Sequence, residues 1–390
     1  MKKYIIYFLF ALIVLFFTTL LNAAENTSIY HQTSGQSLIE AIRIAEPLSF
    51  CNEQVPLKDD AVKERFEREL LISLDNGDDI ILWLKRASRY FPHIEKVLKD
   101  HSMPDDLKYI AIAESSLKPH ARSDKGATGY WQFIENTAIK YGLIVNNDID
   151  ERRNFYASTE AALNYLKDLY ALFGSWTLAA AAYNMGEEGL KAEMIVQKAS
   201  NYYELDLYQE TQRYIFRILA AKLIISNPNK YGYSLSKNDL YKPVQCDYVD
   251  ISTNQPVPLY IIAQAGKTYF KVIKDLNPQL KSYYLPAGKY KLMVPKGAAM
   301  GFSERYENLL SKWILEKNEQ IYIVKTGDNL SQIAERFNVP VKAIMIWNGI
   351  TNGKKVLPGE KLIIFSDKLK KEISNPANNA NKEENLITDN

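Results

Sequence analysis

Glu114 stands where a carboxylate is costly to keep. Pro104 and the pair Asp105-Asp106 open a helical stretch, the proline suited to a first turn and the aspartates to its positive end. Leu107, Ile110, Ala111 and Glu114 then follow at i, i+3, i+4 and i+7, so the acid shares a face with the apolar residues. Ionised and unpaired, a carboxylate on such a face loses its hydration, so it must be protonated or partnered. A carboxyl group held protonated near neutral pH can donate a proton to a leaving oxygen. The segment containing it, AIAESSLKPHARSDKGATGYWQF (residues 111–133), continues into a loop where Gly126 and Gly129 permit a tight turn and close approach to a ligand. Trp131, just beyond the loop, reads as a core aromatic. The residues alone leave Glu114 open to a purely structural role beside a paired neighbour.

The elements that must position these groups are helical. Between residues 36 and 226, apolar periodicity predicts helices over 60–74, 78–89, 92–101, 104–114, 130–141, 153–172, 175–184, 186–199 and 208–226. Gly77, Pro92, Gly142 and Gly174 punctuate them. The pattern changes after Asn227-Pro228-Asn229. Residues 240–300 contain β-prone runs at Tyr260–Ile262 and Tyr290–Val294 around a helical stretch near 266–276. A helix over 302–316 leads into a compact module read as strand 320–325, helix 328–337, helix 340–347 and strand 361–365, with Asp328 capping its first helix. The stretches VIKDLNPQL…LPAGKYKLMVP and AIMIWNGI…VLPGEKLIIF share an apolar helix end, an Asn and a Pro-Gly approach to a strand. They suggest a degenerate repeat.

With 390 residues there is room for two or three domains, and a net charge of +2 gives no basis for strong nucleic-acid binding. Lys2-Lys3 precedes an unbroken apolar run over 4–21, which reads as a secretory signal cleaved after Ala23 or Ala24, or as a retained membrane anchor. Either places the chain in the exported, cell-envelope class. In an oxidising compartment Cys51 and Cys246, on either side of the Glu114 segment, can form one disulfide. The four histidines show no metal-ligand spacing.

Four stretches recur in a telling order: Glu114-Ser115-Ser116; Ser123 followed by Gly126-Ala127-Thr128-Gly129-Tyr130-Trp131-Gln132-Phe133; Ala182-Tyr183-Asn184-Met185-Gly186; and Glu210-Thr211-Gln212-Arg213-Tyr214. Together, over roughly residues 90–226, they resemble the lytic transglycosylase family (goose-lysozyme-like, glycoside hydrolase family 23). The stretch YIVKTGDNLSQIAERFNVPVKAIMIWNGI…VLPGEKLIIF is similar to a LysM domain, a glycan-binding module. The resemblance implies a multidomain chain with an all-α lysozyme-like catalytic domain followed by small α/β LysM-type modules. Its expected divisions are a signal peptide or anchor (1–24), a helical extension (25–90), the catalytic domain (91–230), a degenerate LysM-like region (240–300), a helical linker (301–319), a LysM domain (320–366) and a disordered tail (367–390).

By the same resemblance Glu114 is the general acid and base, and Ser123, Gln132, Tyr183, Asn184 and Glu210 line a glycan cleft. The loop Gly327-Asp328-Asn329-Leu330 meets glycan in the LysM domain. The implied substrate is peptidoglycan, taken by a monomer without metal or organic cofactor. The implied reaction cleaves between N-acetylmuramic acid and N-acetylglucosamine and leaves a 1,6-anhydro end, because one acid suffices when the sugar's own 6-hydroxyl attacks. A hydrolase on the same fold would need a second acid to hold water, for which Asp124 or Glu210 is available. A catalytically silent peptidoglycan-binding scaffold would have no need of a buried acid.

Overall fold

The computed structural model describes residues 35–44, 47–318, 320–351 and 355–366. The apolar run 4–21 and the tail beyond 366 lie outside the described residues. Among the described residues no helix is long and apolar enough to cross a membrane. The described residues form two compact units: one from those up to Phe133 with Ser158–Pro243, the other from Ile134–Ala157 with those from Val244 onward.

The first unit is helical around one core. Helix Gln209–Ser226 packs against Asp60–Asp75, Lys108–Ser115 and Trp176–Met185, and Ile215, Phe216, Leu219 and Ile224 on it are fully enclosed. Ala179 to Ala182 are also fully buried, and their small side chains allow Trp176–Met185 to press close to its neighbours. The N-terminus of that helix is anchored by Glu53, whose carboxylate accepts from Thr177 N (3.0 Å) and Thr177 Oγ1 (2.6 Å). An anion at the positive end of a helix is favourable, and here it also satisfies an orphan amide. Glu53 sits on a hairpin in which Ser49–Phe50 pairs with Glu53–Gln54 around Cys51 and Asn52, both with positive φ. Further along Gln209–Ser226, Arg213 grips the carboxylate of Glu69 at 2.6 and 3.0 Å. Glu69 is 1% exposed, and a charge that deep is tolerated only when paired.

Several expected elements differ. Residues 78–89 and 92–101 are one helix, Gly77–Asp100, with Pro92 inside it. A proline in a helix interior costs about 3 kcal/mol, and the burial of Phe91, Ile94, Val97 and Leu98 around it outweighs that. The expected helix 104–114 is a 3-10 turn, Asp105–Leu107, followed by Lys108–Ser115. Helix 130–141 shrinks to Glu135–Lys140 because residues 128–133 fold back on themselves, Thr128 bridging to both Arg122 and Phe133. Tyr260–Ile262, read as β-prone, lies in helix Leu259–Ala265, where the burial of Leu259, Ile261 and Ile262 overrides local propensity. Both cysteines are free thiols instead of a disulfide. Cys51 is enclosed in its hairpin, where its N–H donates to Asp106 (2.7 Å) and burial drives the thiol pKa far up.

The second unit contains one motif twice. Strand Cys246–Thr253 pairs antiparallel with Gly288–Pro295, with Cys246 opposite Pro295 and Thr253 opposite Gly288, and helices Leu259–Ala265 and Phe270–Leu276 lie between them in sequence. Strand Ile321–Ile323 pairs with Lys361–Ile363, with helices Leu330–Phe337 and Val341–Trp347 between. Each copy has its own core, one around Ile262, Leu285 and Val294, the other around Ile333, Ile344 and Leu362. The Asn shared by the two sequence stretches does the same job twice. Asn277 Nδ2 donates to Ile273 O (2.9 Å) and Met293 O (2.8 Å), and its Oδ1 accepts from Met293 N (2.9 Å). Asn348 makes the same set with Ile344 O (2.9 Å), Ile363 O (2.8 Å) and Ile363 N (2.6 Å). One amide thus stitches a helix end to the closing strand by filling ladder positions no other strand supplies. Helix Phe302–Asn318 packs on Leu259–Ala265.

Candidate active site

Glu114 lies in the last turn of Lys108–Ser115. The helix ends abruptly because Ser116 and Leu117 are both left-handed, with φ of 52° and 57°. Non-glycine residues hold that conformation only when their surroundings enforce it. The enforcement comes from the long helix Gly77–Asp100: Trp83 Nε1 donates to Ser116 Oγ (2.9 Å) and Arg86 to Ser116 O (3.0 Å). Ser115 Oγ donates to Tyr130 O (2.6 Å), tying the turn to the far side of the glycine loop. Arg217 donates to Ala113 O (2.7 Å). The backbone on both sides of the acid is therefore fixed by groups from three other parts of the unit.

The carboxyl group is enclosed by protein, although part of the residue reaches solvent. Its environment raises its pKa from the ordinary carboxylate range to about 7. Desolvation is the main cause, and the distant charge of Glu210 adds to it. The hydroxyl of Tyr214, which donates a hydrogen bond to Glu114 Oε1, and the Arg217 guanidinium act in the opposite direction. A proton on this group is therefore available near neutrality and can be given up and recovered without a large free-energy difference. Tyr214 is itself buried, and its phenol is pushed well above its ordinary pKa by burial and by Glu114. It stays neutral and remains a donor.

Tyr183 comes from the last turn of Trp176–Met185. Its hydroxyl donates to Trp131 O (2.7 Å), and its ring packs against Phe133 and Tyr165, with centroids 6.2 and 5.3 Å away. Burial, followed by the charge of Glu114, raises its pKa well above the ordinary phenol value, so it too stays neutral. Trp131 is fully buried with its indole N–H on Thr159 Oγ1 (3.0 Å), in keeping with a core aromatic. Asn184 Oδ1 accepts from Thr211 Oγ1 (2.8 Å), joining the two helices that carry Tyr183 and Tyr214.

Ser123 and Gln132 make the loop itself. Ser123 Oγ accepts from Ala127 N (3.1 Å), and the amide of Gln132 donates to Ala121 O (3.1 Å) and Gly129 O (2.8 Å). Gln132 also has a φ of 50°, so it turns the chain as well as bracing it. Glu210 is exposed and 3.9 Å from Lys125. In the C-terminal module Gly327, with a φ of 90°, opens the turn that precedes helix Leu330–Phe337. Asn329, and not Asp328, caps that helix, accepting from Gln332 N (3.0 Å). Asp328 is diverted to Tyr322 OH (2.6 Å) and Lys325 N (2.8 Å), one residue too early for the cap. Leu330 packs against the module core.

Tyr214, Arg217, Trp83 and Arg86 were not singled out by sequence reasoning as site residues. The signal for the first two was present: Glu210, Tyr214 and Arg217 fall at i, i+4 and i+7, one face of one helix. Trp83 and Arg86, at i and i+3 on a distant helix, carry no local sign of their target. Tyr214→Phe is expected to lower turnover about tenfold, the effect of one hydrogen bond to a charged group. It should also move the alkaline limb of the pH–rate profile upward, because that bond favours the carboxylate. A profile of unchanged shape would assign Tyr214 to packing alone.

The Transglycosylase SLT domain model matches residues 91–205, the LysM domain model 322–365, and the model for the lytic transglycosylase MltD LysM-like domain 245–310. Membrane-bound lytic murein transglycosylase D of Escherichia coli is 33% identical over 293 residues, 72% of this chain and 64% of that protein. A putative tributyltin chloride resistance protein of an Alteromonas species is 30% identical over 154 residues, 38% of this chain and 74% of that one. Among solved structures, an inactive mutant of the lytic transglycosylase Slt from Pseudomonas aeruginosa matches with a TM-score of 0.30 at 20% identity, covering 40% of this chain and 26% of its own. The chain thus spans a little under two thirds of the length of the transglycosylase D it matches. It carries a transglycosylase SLT domain around Glu114 with LysM-type modules behind it, and in both parts it is similar to lytic transglycosylases.

Proposed function

We propose that the protein is an exported peptidoglycan lytic transglycosylase with Glu114 as its single general acid and base. The observation that carries this reading is the enclosure of the Glu114 carboxyl by protein beside the hydroxyl of Tyr214, where desolvation holds its pKa above the ordinary carboxylate range. Glu114 donates its proton to the glycosidic oxygen between N-acetylmuramic acid and N-acetylglucosamine as the bond from the anomeric carbon breaks. The muramyl N-acetyl oxygen stabilises the developing positive charge. The carboxylate then accepts the proton of the 6-hydroxyl as that oxygen bonds to the anomeric carbon, which closes a 1,6-anhydro ring and restores the acid. Attack within one sugar supplies proximity that a bound water would lack.

A pair of carboxylates flanking the bond characterises ordinary glycosidases. Here Asp124 is exposed, and Glu210 is exposed and paired with Lys125, so neither shares the enclosed environment of Glu114. Mass spectrometry of fragments released from purified cell wall tests the proposal. Anhydro ends are expected, whereas reducing ends would make the protein a hydrolase and no fragments a binding scaffold.

The LysM-type modules supply retention at the substrate. A tethered glycan-binding module raises the local concentration of glycan at the cleft. Deleting residues 320–390 is expected to leave cleavage of short soluble glycans intact and to weaken binding to whole sacculi. Equal loss on both substrates in a pelleting and turnover comparison would make the module part of the catalytic fold.

A further inference from the structure

The second unit carries a solvent-open cavity of about 320 Å³ that shares no residue with the Glu114 site. One wall is the outer face of the strand pair Cys246–Thr253 and Gly288–Pro295, where alternation turns Tyr248, Lys289 and Lys291 away from the core. The facing wall is the segment carrying Glu151 and Tyr156. Two backbone bonds hold the walls in register, Asp150 N to Gln279 O (2.9 Å) and Lys281 N to Asp148 O (2.7 Å), and Ile149 packs into the module core beside them.

Two features of this cavity are unexplained by the fold. Gln279, on the lining, is only 5% exposed, and its Oε1 accepts no hydrogen bond. A buried amide oxygen left without a donor is destabilising, because it has given up water for nothing. Lys289 and Lys291 both face the cavity, and neither has an ion-pair partner among the described residues. Lys291 Nζ instead sits over the Tyr248 ring, 5.3 Å from its centroid. The Glu151 carboxylate, the acid on the lining, is engaged by Ile144 N (2.8 Å) within its own segment.

We propose that this cavity binds a short peptide bearing a free carboxylate. The two lysines receive the carboxylate, the tyrosine faces cover the aliphatic part, and a peptide N–H reaches the oxygen of Gln279. A neutral saccharide brings no anion for the lysines. The choice of peptide rests on the peptidoglycan reading: the stem peptides carried by muramic acid combine free carboxylates with peptide amides.

The test is calorimetric titration of the full chain with a free stem tetrapeptide, the same peptide with its carboxylates amidated, and the neutral N-acetylglucosamine trimer. The free tetrapeptide is expected to bind, and the amidated one to bind more weakly. Lys289→Ala with Lys291→Ala is expected to weaken the free peptide about tenfold, equivalent to ~1.4 kcal/mol. Gln279→Leu should weaken it as well without loss of thermal stability, since the substitution removes the orphaned oxygen. If that variant does not fold, the exposed lysine pair decides alone. Absence of peptide binding, equal binding by the lysine variant, or displacement of the peptide by the trimer would overturn the proposal, the last by making this a glycan site. Heat of binding needs no turnover, so the assignment of Glu114 stands or falls separately on the fragment masses.

Discussion

Glu114→Gln is expected to reduce release of fragments from purified cell wall by about four orders of magnitude, the upper end of what general acid–base catalysis supplies. The amide keeps the shape of the side chain and can still accept the Tyr214 hydrogen bond at its oxygen. It can neither protonate the leaving oxygen nor take the proton of the 6-hydroxyl, so both transfers are lost together. Glycan binding should be almost unchanged, because the turn that positions this residue is held by Trp83, Arg86 and Arg217 through other atoms. Glu210→Gln is the comparison, and its effect should be far smaller, since that side chain is exposed and acts on Glu114 only through its charge. Single-turnover measurements with a pelleting assay for binding separate the two steps. Near-normal release of anhydro-ended fragments by the Glu114 variant would show that another group is the acid.

The sequence exposed this site to different depths at different residues. Glu114 was visible because an acid on an apolar stripe conflicts with helical periodicity, and such conflicts mark functional positions. The roles of Ser123 and Gln132 were less legible. Both are polar and near the loop, yet their side chains are bound to the loop's own backbone, a function that motif order does not distinguish from sugar contact. Tyr214 is legible from its spacing, since Glu210, Tyr214 and Arg217 fall on one face of one helix, although its motif alone gives it no role. Trp83 and Arg86 are not legible in the sequence, since they act across 33 and 30 residues on a turn whose left-handed backbone has no local signature. Fold errors have the same origin. Pro92 and Tyr260–Ile262 carried the wrong local preference, and packing determined their conformation. The shared Asn is legible in the sequence as part of a degenerate repeat, and only the bonds of Asn277 and Asn348 show why both copies need it.

The same burial that makes Glu114 an acid should leave two signatures in pH. Catalysis starts from the protonated form, so kcat/KM is expected to fall about tenfold per pH unit above a break near pH 7, where Glu114 ionises. Stability should respond over a different window. An unfolded glutamate titrates near 4.5 and the folded one near 7. Between these values the folded protein binds more protons than the unfolded chain, so this group's contribution to stability is complete below about pH 4.5. It is lost as pH rises through 7. A shift of this size corresponds to about 3 kcal/mol as an upper figure. Asp150 works in the other direction: burial would raise its pKa, but the Arg152 guanidinium and its hydrogen bonds hold it below the usual carboxylate value. A raw pH–stability curve therefore mixes opposing slopes. Subtracting the curve of Glu114→Gln from that of the unmodified protein removes every group the two share. The variant's advantage in urea denaturation should be smallest near pH 4.5, grow with pH, and level off above 7. A difference that stays flat across this window would mean that the folded and unfolded acids titrate alike, and the basis for Glu114 as a proton donor at neutral pH would be gone.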